Sequence, residues 1–199
     1  MNFRPRIWLL SALIGFGAWQ YWQDRPVSTP DGQLAPESPQ QTDLKTPQTY
    51  TQGQYTLTAL ARYAITARVL GKERYTLDAG AELVPVDLAL GWGAMSDSHV
   101  LKRLDISQNN RFYFYRWRDQ PPIPAQDIVS HSANTHLIPS SPSIEKQIKS
   151  VRPGQIVRIQ GSLVEAKAPD GRTWRSSLTR DDSGNGACEL VYVESFTIF

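Results

Sequence analysis

Tyr63, Ile65, Ala67 and Val69 alternate with Arg62, Ala64, Thr66 and Arg68. A period of two sends successive side chains to opposite faces, so Arg62 to Leu70 reads as a strand that ends at Gly71. In Arg111 to Arg118, RFYFYRWR, one face carries Arg111, Tyr113, Tyr115 and Trp117 and the other Phe112, Phe114, Arg116 and Arg118. Its aromatic content makes it the most strand-prone stretch of the chain. Three more strands are predicted at Gln155 to Ala166, Thr173 to Leu178 and Ala187 to Glu194, and the turn Pro169-Asp170-Gly171 joins the first two into a hairpin. Helical signals are short. Met95 to Leu104 can start at Ser96 as N-cap and aligns Val100, Leu101 and Leu104. Ser141-Pro142 is a cap followed by proline at the first helical position, and Ile144, Ile148 and Val151 form a buried stripe before Arg152-Pro153-Gly154 ends the helix. A further turn is predicted at Ala125 to His131. The expected class is mostly β (α+β), and a helix set before the last strands of a small closed barrel is an OB-like layout.

The N-terminus follows a different pattern. Arg4 and Arg6 precede the apolar run Ile7 to Trp22, the order of an export or anchor signal. Sixteen helical residues span ~24 Å at ~1.5 Å each, tight against a ~30 Å hydrocarbon core unless Phe3 and the Arg6 stem extend the run. Trp8 near one end and Trp19, Tyr21 and Trp22 near the other favour a retained anchor, because amphipathic rings prefer the headgroup level. Cleavage at the small residues Gly15 and Gly17 is the competing outcome. Basic residues stay on the cytoplasmic side, so residues 1–22 read as one transmembrane helix of the inner membrane, with everything after it periplasmic or otherwise extracytoplasmic. From Gln23 to Gln54 there are five prolines and seven glutamines but few apolar side chains. Such a composition does not bury enough surface to offset chain entropy, so 23–54 reads as a disordered tether and 55–199 as the folded, exported domain.

Composition sharpens this division. Across 199 residues, 21 basic and 19 acidic side chains nearly balance, which argues against a dedicated nucleic-acid binder. A lone cysteine, Cys188, excludes an intramolecular disulfide and any multi-cysteine metal site.

GWGAMSDSHVLKRL, the ISQNNRFYFYRW run, HSANTHLIP and the RSSLTRDDSGNGACELVYV terminus resemble stretches of uncharacterised membrane-anchored bacterial envelope proteins. That resemblance implies an envelope location and carries no activity. One anchor and a small exported barrel also resemble the layout of the haem chaperone of cytochrome c maturation. That family's His-x-x-x-Tyr motif is not matched, since Arg103, Thr135 and Ser140 lie four residues after His99, His131 and His136. No cofactor is expected.

Candidate chemistry is sparse. In Asp127 to His136, DIVSHSANTH, Asp127 and His131 stand at i and i+4, where a carboxylate orients an imidazole as a base. A metal site would need His131 and His136 with help from Asp97 or His99, and no metal is assigned. Cys188 with a histidine suggests a thiol mechanism, but its strand alternation reads as a small packed side chain. The loop Arg180 to Gly186 offers oxygen ligands without the spacing of a calcium loop. What remains is a basic and aromatic surface, Arg116, Trp117, Arg118, Arg172, Trp174, Arg175 and Arg180. Stacking and anion contacts there suit an envelope protein or an anionic glycan. The functional expectation is a non-catalytic binding or assembly module, with a hydrolase or metal enzyme using Asp127 to His136 as the alternative.

Overall fold

The computed structural model describes residues 25–78, 80–179 and 187–199, together with Trp8, Ser11, Ile14, Gly15 and Gly17. Among the described residues ten strands run in chain order: β1 (Gln40–Asp43), β2 (Thr49–Gln52), β3 (Tyr55–Arg74), β4 (Val86–Gly91), β5 (Asp105–Asn109), β6 (Phe112–Arg116), β7 (Ser132–Pro139), β8 (Ile156–Lys167), β9 (Thr173–Arg175) and β10 (Glu189–Ile198). Three short helices accompany them among the described residues, α1 (Ser98–Leu101), α2 (Ala125–Ser130) and α3 (Pro142–Ser150). The molecule is mostly β, as expected.

The alternating run at 62–70 is the middle of β3, which is twenty residues long and is the spine of the sheet. Leu57, Ala59, Ala61, Tyr63, Ile65 and Ala67 all face inward and are buried. One edge of β3 pairs with β8 from Thr56 to Arg68. Along the other edge β2, β1 and β4 follow one another, at residues 55–58, 61–64 and 68–74. β4 then pairs with β7, β7 with β10 in parallel, β10 with β8, and β8 returns to β3. These five strands therefore form a closed circuit of hydrogen-bonded neighbours. Irregularities at Ala59/Ala61 and Val69/Gly71 interrupt the ladders of β3, and such bulges bend a strand and increase its twist. Gly161 on β8 permits the closest approach, since a Cβ there would stand 1.9 Å from the Tyr192 carbonyl oxygen of β10.

Helix α3 sits between β7 and β8, where the Ser-Pro signal predicts it. The Ser141 hydroxyl accepts from the Ile144 backbone N–H at 3.3 Å, and Ile148 and Val151 enter the core. The hairpin of β8 and β9 also forms, with Lys167 opposite Thr173. The expected helix over 95–104 is split into a tight turn at Gly93–Ser96 and α1, whose cap is Asp97 rather than Ser96. Arg111 to Arg118 is not a strand of the main sheet: β5 and β6 form a separate two-stranded hairpin.

The tether expectation is corrected for residues 25–54. β1 and β2 add to the edge of β3, Ala35 is buried, and Val27 donates its N–H to the Pro153 carbonyl at 2.8 Å. Edge addition is held by main-chain hydrogen bonds, which a low apolar content does not prevent. The anchor expectation at 7–22 falls outside the described residues apart from five positions; Trp8 and Ile14 are exposed there. Among the described residues no helix is long and apolar enough to cross a membrane.

Candidate functional site

Asp87 on β4 and His136 on β7 are directly paired across the antiparallel ladder, so their side chains leave the sheet on the same face. Asp87 is fully buried and His136 nearly so. His136 Nδ1 lies 2.9 Å from Asp87 Oδ1, but the contact is not aligned with the ring N–H and makes no hydrogen bond. On the next same-face pair, Asn134 donates to the Arg111 backbone carbonyl at 2.9 Å and accepts from Gln108 Nε2 at 2.8 Å.

Arg111 occupies the tip of the β5–β6 hairpin. Asn109 pairs with Phe112, so the loop is the two residues Asn110 and Arg111, with φ of 51° and 69°. Two positive φ values are the mark of a type I′ turn, where glycine is the usual second residue. Arginine is strained there, and its guanidinium explains why it stays. Nε and Nη2 donate to Asp78 at 3.0 and 2.8 Å, while Nη1 donates to the Val84 carbonyl at 2.9 Å and to Asp87 at 3.0 Å. The guanidinium also lies 3.5 Å above the Tyr75 ring, and the Tyr75 hydroxyl oxygen accepts from the Arg111 backbone N–H at 3.1 Å. Burial, then the Asp87 charge, pushes the Tyr75 hydroxyl up to about 12. Burial raises Asp78, but the bonds and charge of Arg111 outweigh it and hold the carboxyl below its ordinary value.

Beside this network opens a cavity of about 480 Å³. Its apolar surface comes from Tyr55, Leu83, Ala166 and Trp174, and its polar groups from Asp78, Asn110, Arg111 and Arg172. Trp174 separates the cavity from His136, whose ring meets the indole edge-on at 4.7 Å between centroids. Arg172 donates through Nε to Asp170 at 2.7 Å and is otherwise exposed. Its terminal nitrogens make no ion pair with any carboxylate among the described residues.

The surface expected from sequence is divided. Arg172 and Trp174 line this cavity, whereas Arg116, Trp117 and Arg118 line a second, of about 990 Å³, at the opposite end of the hairpin. Arg175 is ion-paired with Glu165 at 2.9 Å, one strand position away from Trp174 and hence on the other face of β9. Arg180 and the rest of the loop 180–186 lie outside the described residues.

Nor does the Asp127–His131 pair form as expected. His131 Nδ1 meets the Asp127 backbone oxygen at 2.8 Å rather than its carboxylate, so the ring caps the end of α2. The polar stretch after it is a buried strand, β7, not a bend that would bring His131 and His136 to one ion. His99 faces Asp31 at 3.8 Å, and Cys188 is half-buried just ahead of β10. Among the described residues no group of three or more His, Cys, Asp or Glu is placed to hold a metal.

Sequence reasoning misses Asp87, Arg111 and Asp78 as a unit. The signals available to it are an aspartate inside the otherwise apolar LVPVDLALG and the Asn-Asn-Arg step between two alternating runs. No protein-family model, curated protein or solved structure matches this chain.

Proposed function

We propose that this chain is a membrane-anchored binding or assembly module of the bacterial envelope. Residues 7–22 serve as the inner-membrane anchor, and the exported domain is an OB-like barrel that engages a protein or anionic glycan partner. The strand circuit supports the barrel reading: the third and fifth strands of the circuit in chain order, β7 and β10, run parallel, and α3 lies between the third and fourth. Both are features of an OB-like arrangement.

The observation that carries the functional reading is the position of the 480 Å³ cavity. It is walled by the connection between the first and second strands of the circuit, with Asp78, Gly80 and Leu83, and by the connection between the fourth and fifth, with Arg172, Thr173 and Trp174. OB barrels bind extended chains at these two connections. Trp174 offers a wall for stacking, and the Arg172 terminal nitrogens offer a fork for a carboxylate or phosphate. Binding is favoured over catalysis because His136, the histidine of the Asp127 to His136 segment that meets Trp174, is buried behind that ring.

Crosslinking and affinity capture of the full chain from its native membrane tests this. Trp174→Ala combined with Arg172→Glu should abolish capture with the thermal transition retained. Arg175→Glu, on the other face, and His131→Ala should leave capture intact. Undiminished capture by the double variant would remove the cavity from the proposal.

A further inference from the structure

The arm ahead of β1 fixes which side of the domain meets the membrane. The Arg25 carbonyl accepts from Arg152 Nε at 2.9 Å and the Val27 N–H reaches Pro153 at 2.8 Å. Asp31 then pairs with Lys102 at 2.9 Å, Gln33 bridges to Asp97, and the Ala35 carbonyl accepts from the Gly93 N–H at 2.8 Å. From Trp22, the last residue of the apolar run, to Arg25 there are three Cα steps, which reach at most ~11 Å. On the anchor reading, on which this inference rests, the domain is therefore seated at the headgroups along the side that the arm crosses.

That side carries a cationic patch. Lys102, the arm's partner, is followed by Arg103, and both line the 990 Å³ cavity with Arg116, Trp117 and Arg118. Only Asp105 and Asp119 oppose these four cations within the lining. Among the described residues Arg103, Arg116 and Arg118 form no ion pair with a carboxylate, although all three are exposed. Further along the same hairpin, Phe112 and Phe114 present exposed rings on the face that Arg116 shares.

We propose that the foot of the β5–β6 hairpin lies on the membrane surface, with Arg103, Arg116 and Arg118 holding the phosphates of anionic phospholipid headgroups. Guanidinium forks match phosphate oxygens, and Trp and Phe rings settle at the interface beside them. The short link to the anchor brings lipid phosphate within reach whenever the chain is inserted, which nothing in the structure does for an acidic protein.

The test uses the full chain in lipid nanodiscs of phosphatidylcholine, alone or mixed with phosphatidylglycerol, and follows backbone amide exchange across 105–118. Exchange should slow several-fold in the mixed discs relative to the zwitterionic ones, and high salt should reverse the effect. The Arg103→Glu, Arg116→Glu, Arg118→Glu triple variant should lose the protection while keeping its thermal transition. Equal exchange in both lipids, or protection that survives charge reversal, overturns the proposal and leaves the patch to an acidic protein. Should the chain fail to enter phosphatidylcholine discs, the anchor reading falls. Flotation of wild type against the triple variant on phosphatidylglycerol vesicles then decides the hairpin by itself, binding of wild type alone supporting it and equal flotation overturning it.

Discussion

Arg111 sets two opposed energies against each other at one residue, and substitution separates them. Its φ of 69° is a left-handed conformation that costs a non-glycine residue ~1–2 kcal/mol. Against this stands the pairing of its guanidinium with Asp87, which has no solvent exposure. Removing one partner of a buried ion pair costs ~3–5 kcal/mol, because the survivor remains charged and buried. Arg111→Ala keeps the strain and loses the network, so unfolding in urea, followed by tryptophan fluorescence, should register a loss of ~3–5 kcal/mol. Arg111→Gly loses the same network but relieves the turn, and should recover ~1 kcal/mol of that loss. In an Asp87→Asn background no buried carboxylate is left unpaired, since Asp78, the other partner, is part-exposed, so the further cost of Arg111→Gly should shrink by more than ~0.5 kcal/mol. An Arg111→Gly protein as stable as wild type would refute the reasoning, since the strain would then match everything the guanidinium contributes.

Two further predictions concern the arm and the tyrosines. Gly154 has φ of +95°, and a Cβ there would stand 2.4 Å from the Val27 carbonyl oxygen; Gly154→Ala should therefore release the arm, seen as faster amide exchange at Val27, while exchange in β8 stays slow. Burial pushes the hydroxyls of Tyr75 and Tyr113 up to about 12 from 10.0. Both pKa values are raised on folding, so their contribution to stability is complete below pH about 10 and lost as pH rises towards about 12, which phenolate absorbance followed together with circular dichroism checks.

Signals confined to a few neighbouring residues are legible in the sequence: the alternation in β3, the Ser141 cap with Pro142, and the turn between β8 and β9. β4 and β7 are not. Every residue of β4 is buried, so it shows no alternation, and a short apolar run enclosed on both faces is indistinguishable by period from a buried helix. β7 hides for the opposite reason. Ser132, Asn134, Thr135 and His136 look like loop residues, yet they are buried, and Asn134 for one satisfies its amide on Gln108 and Arg111. Partners twenty or more residues away are invisible to local pattern. The site is hidden along with these strands, because Asp87 and His136 meet only through their pairing. β1 and β2 escape because a composition test weighs buried area, whereas an edge strand is held by backbone bonds to β3.

The β5–β6 hairpin connects the two cavities. Its five-residue strands span ~17 Å at ~3.4 Å per residue, with Arg111 at the tip beside the 480 Å³ cavity and Arg116 at the foot beside the cationic one. At the tip one guanidinium ties the hairpin to the 75–85 connection through Asp78 and Val84 and to the main sheet through Asp87. The smaller cavity thus takes its walls from three separate connections, and Arg111 fastens two of them to the sheet. A hairpin fixed to the fold only at its foot would leave Asn110 and Arg111 free to swing, and the cavity without a defined shape. The strained turn therefore serves the cavity: a glycine would relax the backbone and keep its main-chain bonds to Tyr75 and Asn134, but would lose the guanidinium that ties the tip to Asp78, Val84 and Asp87.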